Sequence, residues 1–122
     1  MEISRGQIWW IDFLEPIGSG PGLRRPALIV QHNRLNATRL ATVLVIPLTT
    51  NERWATARGN VLLPKGTAGL REASVVNVTQ LNCVDRMMLE DFQGIVPLHF
   101  LAAVDDGLRM ILDIECPQGA LQ

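Results

Sequence analysis

The chain has no tyrosine, only two histidines, one lysine and two cysteines. Each shortage closes off a class of chemistry. Without tyrosine there is no phenolic base or nucleophile. His32 and His99 stand in no metal-ligand spacing with cysteine, aspartate or glutamate, which argues against a metal centre. Cys83 and Cys116 have no metal-finger or disulfide-scaffold spacing, and Cys83 reads as a small core residue of an apolar strand. No apolar run approaches the ~20 residues of a membrane span. The start, Met1-Glu2-Ile3-Ser4-Arg5, is too polar for a secretory leader, so the chain reads as cytoplasmic. No nucleophile elbow exists. The one glycine-rich stretch is not a phosphate-binding P-loop, because no Gly-Lys-Ser/Thr follows it and a strand comes next.

What is present is arginine. Ten arginines stand against the single Lys65. The net charge of −1 hides an asymmetry: residues 1–86 hold ten basic and six acidic side chains, whereas residues 87–122 hold one basic and six acidic. An arginine-biased N-terminal body suits phosphate or carboxylate recognition, because the planar guanidinium fork engages two oxygens at once. The acidic C-terminal segment would repel a polyanion and is expected to face elsewhere.

At 122 residues the chain reads as one domain, spanning 1–122. Alternation over residues 8–13 predicts a first strand with Trp9, Ile11 and Phe13 on the core face and Ile8, Trp10 and Asp12 on the other. Strands are also expected at 27–31, 42–48, 60–63, 73–78, 81–84 and 94–96. A short helical turn is expected within 32–40, and another over 86–90 capped by Asp85. Pro47 should end or bulge its strand. Pro97 should open a helix to residue 114, with Leu101, Val104, Leu108, Ile111 and Leu112 on its buried face. Gly107 weakens that helix by ~1 kcal/mol relative to alanine, so the helix needs packing. Short strands in one small domain favour a barrel or sandwich, closed to hide its edges.

Gly18-Ser19-Gly20-Pro21-Gly22-Leu23-Arg24-Arg25-Pro26 forms a glycine-rich loop ending in two guanidinium groups at the base of a strand. With Thr49, Thr50 and Gln80, these residues suit cleavage of RNA, which carries its own nucleophile, the 2′-hydroxyl. A fixed guanidinium stabilises developing negative charge, and a threonine hydroxyl donates to a phosphate oxygen or positions the 2′-hydroxyl. No metal or other cofactor is called for. Structural roles compete with each of these. Arg25 can be a strand-start surface residue, Thr49 a strand-end cap and Gln80 an exposed turn residue. Trp54, in a polar loop, is the better base-stacking candidate, with partial core packing as its alternative. Trp10 is either a stacking residue or a subunit contact.

Three motifs in order resemble the MazF/PemK-type toxin family of bacterial toxin–antitoxin systems. They are Arg5-Gly6-Gln7-Ile8-Trp9-Trp10-Ile11-Asp12-Phe13, the loop from Gly18 through Val30, and Pro47-Leu48-Thr49-Thr50. Ser74-Val75-Val76, Gln80 and Val84-Asp85-Arg86-Met87-Met88-Leu89 continue the pattern, so the resemblance covers about residues 4–112. It implies a mainly β fold: an SH3-like β-barrel, CcdB/PemK-like, with a C-terminal α-helix and a short connecting helix. It also implies a homodimer and a metal-independent, sequence-specific endoribonuclease (mRNA interferase). That enzyme would cleave single-stranded RNA to 2′,3′-cyclic phosphate and 5′-hydroxyl ends. By the same resemblance Arg25 and Thr49 are catalytic, and Ser19, Gly20, Gly22, Arg24, Thr50, Trp54 and Gln80 contact RNA. A cognate acidic antitoxin would cover the groove. The sequence departs from many relatives at Gly20 and Pro21, so the recognised base does not carry over. The rival readings are a non-enzymatic gyrase-poison-like toxin of the same barrel and an inactive SH3-type adaptor module.

Overall fold

The structure, a computed structural model, describes residues 2–14, 18 and 23–115. Its seven strands are β1 (Gln7–Asp12), β2 (Arg24–Ile29), β3 (Thr42–Thr49), β4 (Val61–Leu63), β5 (Ser74–Val76), β6 (Asn82–Asp85) and β7 (Leu89–Ile95). Two helices join them: the short α1 (Asn33–Asn36) and the C-terminal α2 (Leu98–Leu112). The strands pair antiparallel in the order β4-β5-β3-β2-β1-β7, with β6 also on β3. The result is mainly β, a curled half-barrel with a C-terminal helix, consistent with the SH3-like class.

Alternation along the central strands supplies two cores, one on each face of the sheet. Register aligns Ile8 with Leu28 and Leu28 with Ile46. These three pack in one cluster with Leu101 and Val104 of α2. Trp9, Ile11, Ala27, Ile29, Val43 and Val45 turn the other way, into a second cluster with Phe13 against it. The predicted core face of β1 is therefore correct. Ile8, on its opposite face, is buried as well, because α2 lies over it. Farther along β1 on that face, Trp10 and Asp12 are only half-buried.

β3 runs through Pro47 to Thr49 and does not stop at the proline. On its outer side it pairs with β6 from Thr42 to Val45 and with β5 from Leu48 to Thr49. Pro47 thus falls where the partner changes and no ladder donor is required on that side. The barrel is not closed by strand pairing: β4 and β7 are the two ends of the ladder. A turn at Thr67–Gly69 spans that seam, where Gln93 Nε2 donates to the Ala68 carbonyl at 3.2 Å.

Three other expectations need correction. The turn over 86–90 is confined to Arg86–Met88, capped by Asp85, and the following strand starts at Leu89 rather than Gly94. Its polar Glu90 and Asp91 hid the pattern because this strand is exposed at the sheet edge. Pro97 is the N-cap of α2 rather than its first helical residue (φ −55°, ψ 146°). Cys83 is exposed on β6 opposite Leu44, not in the core.

Buried polar groups anchor α1 to the sheet. Gln31 and Asn36 are both buried; Gln31 Nε2 donates to Asn36 Oδ1 and Asn36 Nδ2 to the Gln31 carbonyl, each at 2.9 Å. The Arg5 side chain ties the end of β2 to α2. It donates to the Val30 carbonyl at 2.8 Å and pairs with Asp105.

Candidate active site

Pairing of β2 with β3 brings the two principal residues together. Ala27 faces Pro47 at the end of this ladder, and Arg25 and Thr49 lie two residues beyond it on their strands. Both line one cleft of about 260 Å³, with Trp10, Arg24, Thr50 and Ser74 also in its wall. Arg25 is half-buried there, and Thr50 is exposed. The Thr49 hydroxyl oxygen accepts from the Asn51 backbone N–H at 3.2 Å. That bond occupies an acceptor site on the oxygen and leaves the hydroxyl proton able to donate.

Arg24 points to other partners. Its Nε donates to Glu90 at 2.8 Å, it pairs with Asp91, and its guanidinium carbon lies 4.9 Å from the Trp10 ring centroid. Two carboxylates therefore already balance its charge, although it borders the Thr49 cleft beside Arg25. Adjacent in sequence, the two arginines occupy different electrostatic surroundings.

Trp54 and Gln80 line neither this cleft nor the one beside it. Trp54 is exposed on a turn at Glu52–Thr56 with Arg53 over its ring, centroid distance 5.3 Å. Gln80 ends the turn Val78–Gln80 and is half-buried. Ser19, Gly20 and Gly22 lie outside the described residues.

The second compartment, about 410 Å³, shares Trp10, Pro26, Thr50 and Ser74 with the first and extends to Arg71, Glu72 and Gln93. Sequence reasoning gave no site role to Ser74, Arg71, Glu72 or Gln93. Their nearness follows from two pairings that no local pattern encodes, Thr49 with Val75 and Trp10 with Asp91. Among the described residues, no three histidine, cysteine, aspartate or glutamate side chains cluster as metal ligands. No helix among them is long and apolar enough to cross a membrane.

Fold and cleft define a small antiparallel half-barrel with a guanidinium and a hydroxyl at adjoining strand ends. The comparisons give this class its family. Residues 4–112 match the PemK-like, MazF-like toxin of type II toxin–antitoxin systems, and the chain belongs to that family. It is 45% identical over 114 residues to Endoribonuclease MazF6 of Mycobacterium tuberculosis (strain ATCC 25618 / H37Rv), covering 93% of this chain and 100% of that one. Among solved structures, MazF (Form-I) from Deinococcus radiodurans shares the fold with a TM-score of 0.79 at 23% identity, over 93% of this chain and 99% of that one. An endoribonuclease in complex with its cognate antitoxin, from a mycobacterial species, matches with a TM-score of 0.73 at 26% identity, over 93% and 97% of the two chains.

Proposed function

We propose that this toxin is a metal-independent endoribonuclease that cleaves single-stranded mRNA in the cytoplasm. The observation that carries the reading is the convergence of Arg25 and Thr49 on one cleft. The substrate's 2′-oxygen attacks the adjacent phosphorus, its proton passes to solvent water, and the P–O5′ bond breaks. A 2′,3′-cyclic phosphate remains on one fragment, and the leaving 5′-oxygen gains a proton. Arg25 neutralises the negative charge that builds on the phosphorane or supplies the proton to the leaving oxygen. Thr49 donates its hydroxyl proton to a non-bridging phosphate oxygen and holds the phosphate in line. Thr50 borders the same space and contacts the backbone.

The relatives named as endoribonucleases support this reading over a gyrase poison of the same barrel. The arginine-rich N-terminal body suits a cognate acidic antitoxin laid over the cleft, in keeping with the solved toxin–antitoxin complexes of neighbours. Homodimer formation would cover Leu14, Leu23 and Phe92, which are exposed on the single chain.

The test is to incubate the pure protein with a long single-stranded RNA in EDTA and map the ends. Discrete fragments with cyclic-phosphate and 5′-hydroxyl ends are expected. Intact RNA, together with trapped topoisomerase–DNA complexes in a parallel assay, would establish the gyrase-poison alternative instead. Thr49→Val keeps the shape of the side chain but removes its donor. It is expected to slow cleavage by about 10- to 100-fold, the scale of one hydrogen bond to a charged group. A rate within twofold of wild type would remove Thr49 from the mechanism.

A further inference from the structure

We propose that Trp10 is a preset stacking platform for the nucleobase beside the scissile phosphate, and that the second compartment receives that base. The inference rests on the endoribonuclease reading and adds a specificity element to it. Trp10 stands in the wall shared by both compartments, so a nucleotide whose phosphate meets Arg25 and Thr49 has the indole next to its base.

The ring is fixed before any substrate arrives. Its Nε1 donates to Gln93 Oε1 at 2.9 Å, and Gln93 in turn donates to the Ala68 carbonyl at 3.2 Å. The Arg24 guanidinium lies over the ring, held there by Glu90 and Asp91 of β7. Hydrogen bond, cation and strand together leave the indole little rotamer freedom to lose on binding, which favours affinity. Arg24 is thus a positioning residue, its charge spent on the platform rather than on phosphate. At about 410 Å³ the second compartment falls within the ~300–1,000 Å³ range of small-molecule sites. Arg71 offers donors and Glu72 acceptors at its border, so a base edge can be read there while its face stacks. Trp54, the better candidate by sequence, lines neither compartment.

The experiment pairs protein and substrate changes. Once the cleavage bond is mapped, RNAs are made with an abasic nucleotide at each position flanking it. Trp10→Leu keeps an apolar side chain but has no ring, and should lower kcat/KM on intact RNA by about 10- to 100-fold, the worth of one stacked base. Trp10→Phe should lose less than tenfold. At one flanking position the abasic RNA should equalise wild type and Trp10→Leu to within twofold. A loss that is the same on every abasic RNA, or that tracks a change in oligomeric state, overturns the platform and leaves the nuclease reading standing. Absence of any cleavage by wild type sinks the nuclease reading itself. If Trp10→Leu does not fold, indole emission of the Arg25→Ala/Trp9→Phe/Trp54→Phe protein, whose one tryptophan is Trp10, decides. Quenching by intact RNA and not by the abasic RNA supports stacking, and equal quenching by both overturns it.

Discussion

Arg25→Ala is expected to reduce RNA cleavage by at least ~10²–10³-fold, the effect of deleting a preorganised donor aimed at developing charge. The reason is positional. Arg25 lies near the start of β2 and lines one cleft with Thr49 of β3. Water entering the space left by alanine must reorient as the phosphorane forms, a cost that the fixed guanidinium avoids. Arg24 borders the same cleft, but its charge is shared with Glu90 and Asp91 and its guanidinium lies over Trp10. Arg25→Lys keeps the charge but not the fork, and should retain only part of the rate. The measurement is cleavage of a mapped single-stranded RNA, with thermal unfolding followed by circular dichroism to show that the fold persists. Cleavage within threefold of wild type by a folded Arg25→Ala protein would refute the mechanism.

Gly107→Ala is expected to lower Tm by on the order of 5–10 °C, against the sign that helix propensity alone gives. Alanine in place of glycine inside a helix normally gains ~1 kcal/mol. Here a Cβ at position 107 would stand 2.1 Å from the Gly59 carbonyl oxygen and 3.0 Å from its carbon. Both are backbone atoms, so no side chain can swing away. Gly59 itself has φ +88°, a conformation that favours glycine, and a Cβ there would meet Met110 Cε at 2.7 Å. Helix and loop approach backbone to backbone, and overpacking such a contact costs about 1–3 kcal/mol or more. For a domain of this size, each kcal/mol moves Tm by roughly 3–5 °C. Thermal melts at fixed protein concentration test this, and a raised Tm would show that the close approach does not constrain the helix. The glycine that weakens α2 in isolation is thus the one that lets α2 dock on the loop before β4.

Strand positions were legible where one face was apolar and the other mixed, as along residues 8–13, or where a short run was apolar throughout, as along 42–48. The edge strand β7 was not, because Glu90, Asp91 and Gln93 face solvent or the cleft and leave no apolar alternation to read. Cys83 misled for a related reason: an apolar stretch was taken as buried, but β6 pairs only at the outer side of β3. At the site, Arg25 and Thr49 stood out in the sequence as chemistry and as motif, and both line one cleft. Trp54 was favoured over Trp10 for stacking because a polar loop suggests access, whereas pairing of β1 with β2 and β7 places Trp10 between the compartments.

The sequence by itself determined the family, the alternating core of the central strands and the supply of functional groups, ten arginines among them. Those properties reside in residue identity and short-range order, which a linear reading preserves. Only the tertiary structure separated the surroundings of the two arginines: both border the cleft, and Arg24 also pairs with Glu90 and Asp91 and lies over Trp10. Adjacent guanidinium groups are equivalent in a linear reading until strands distant in sequence bring two carboxylates and an indole to one of them.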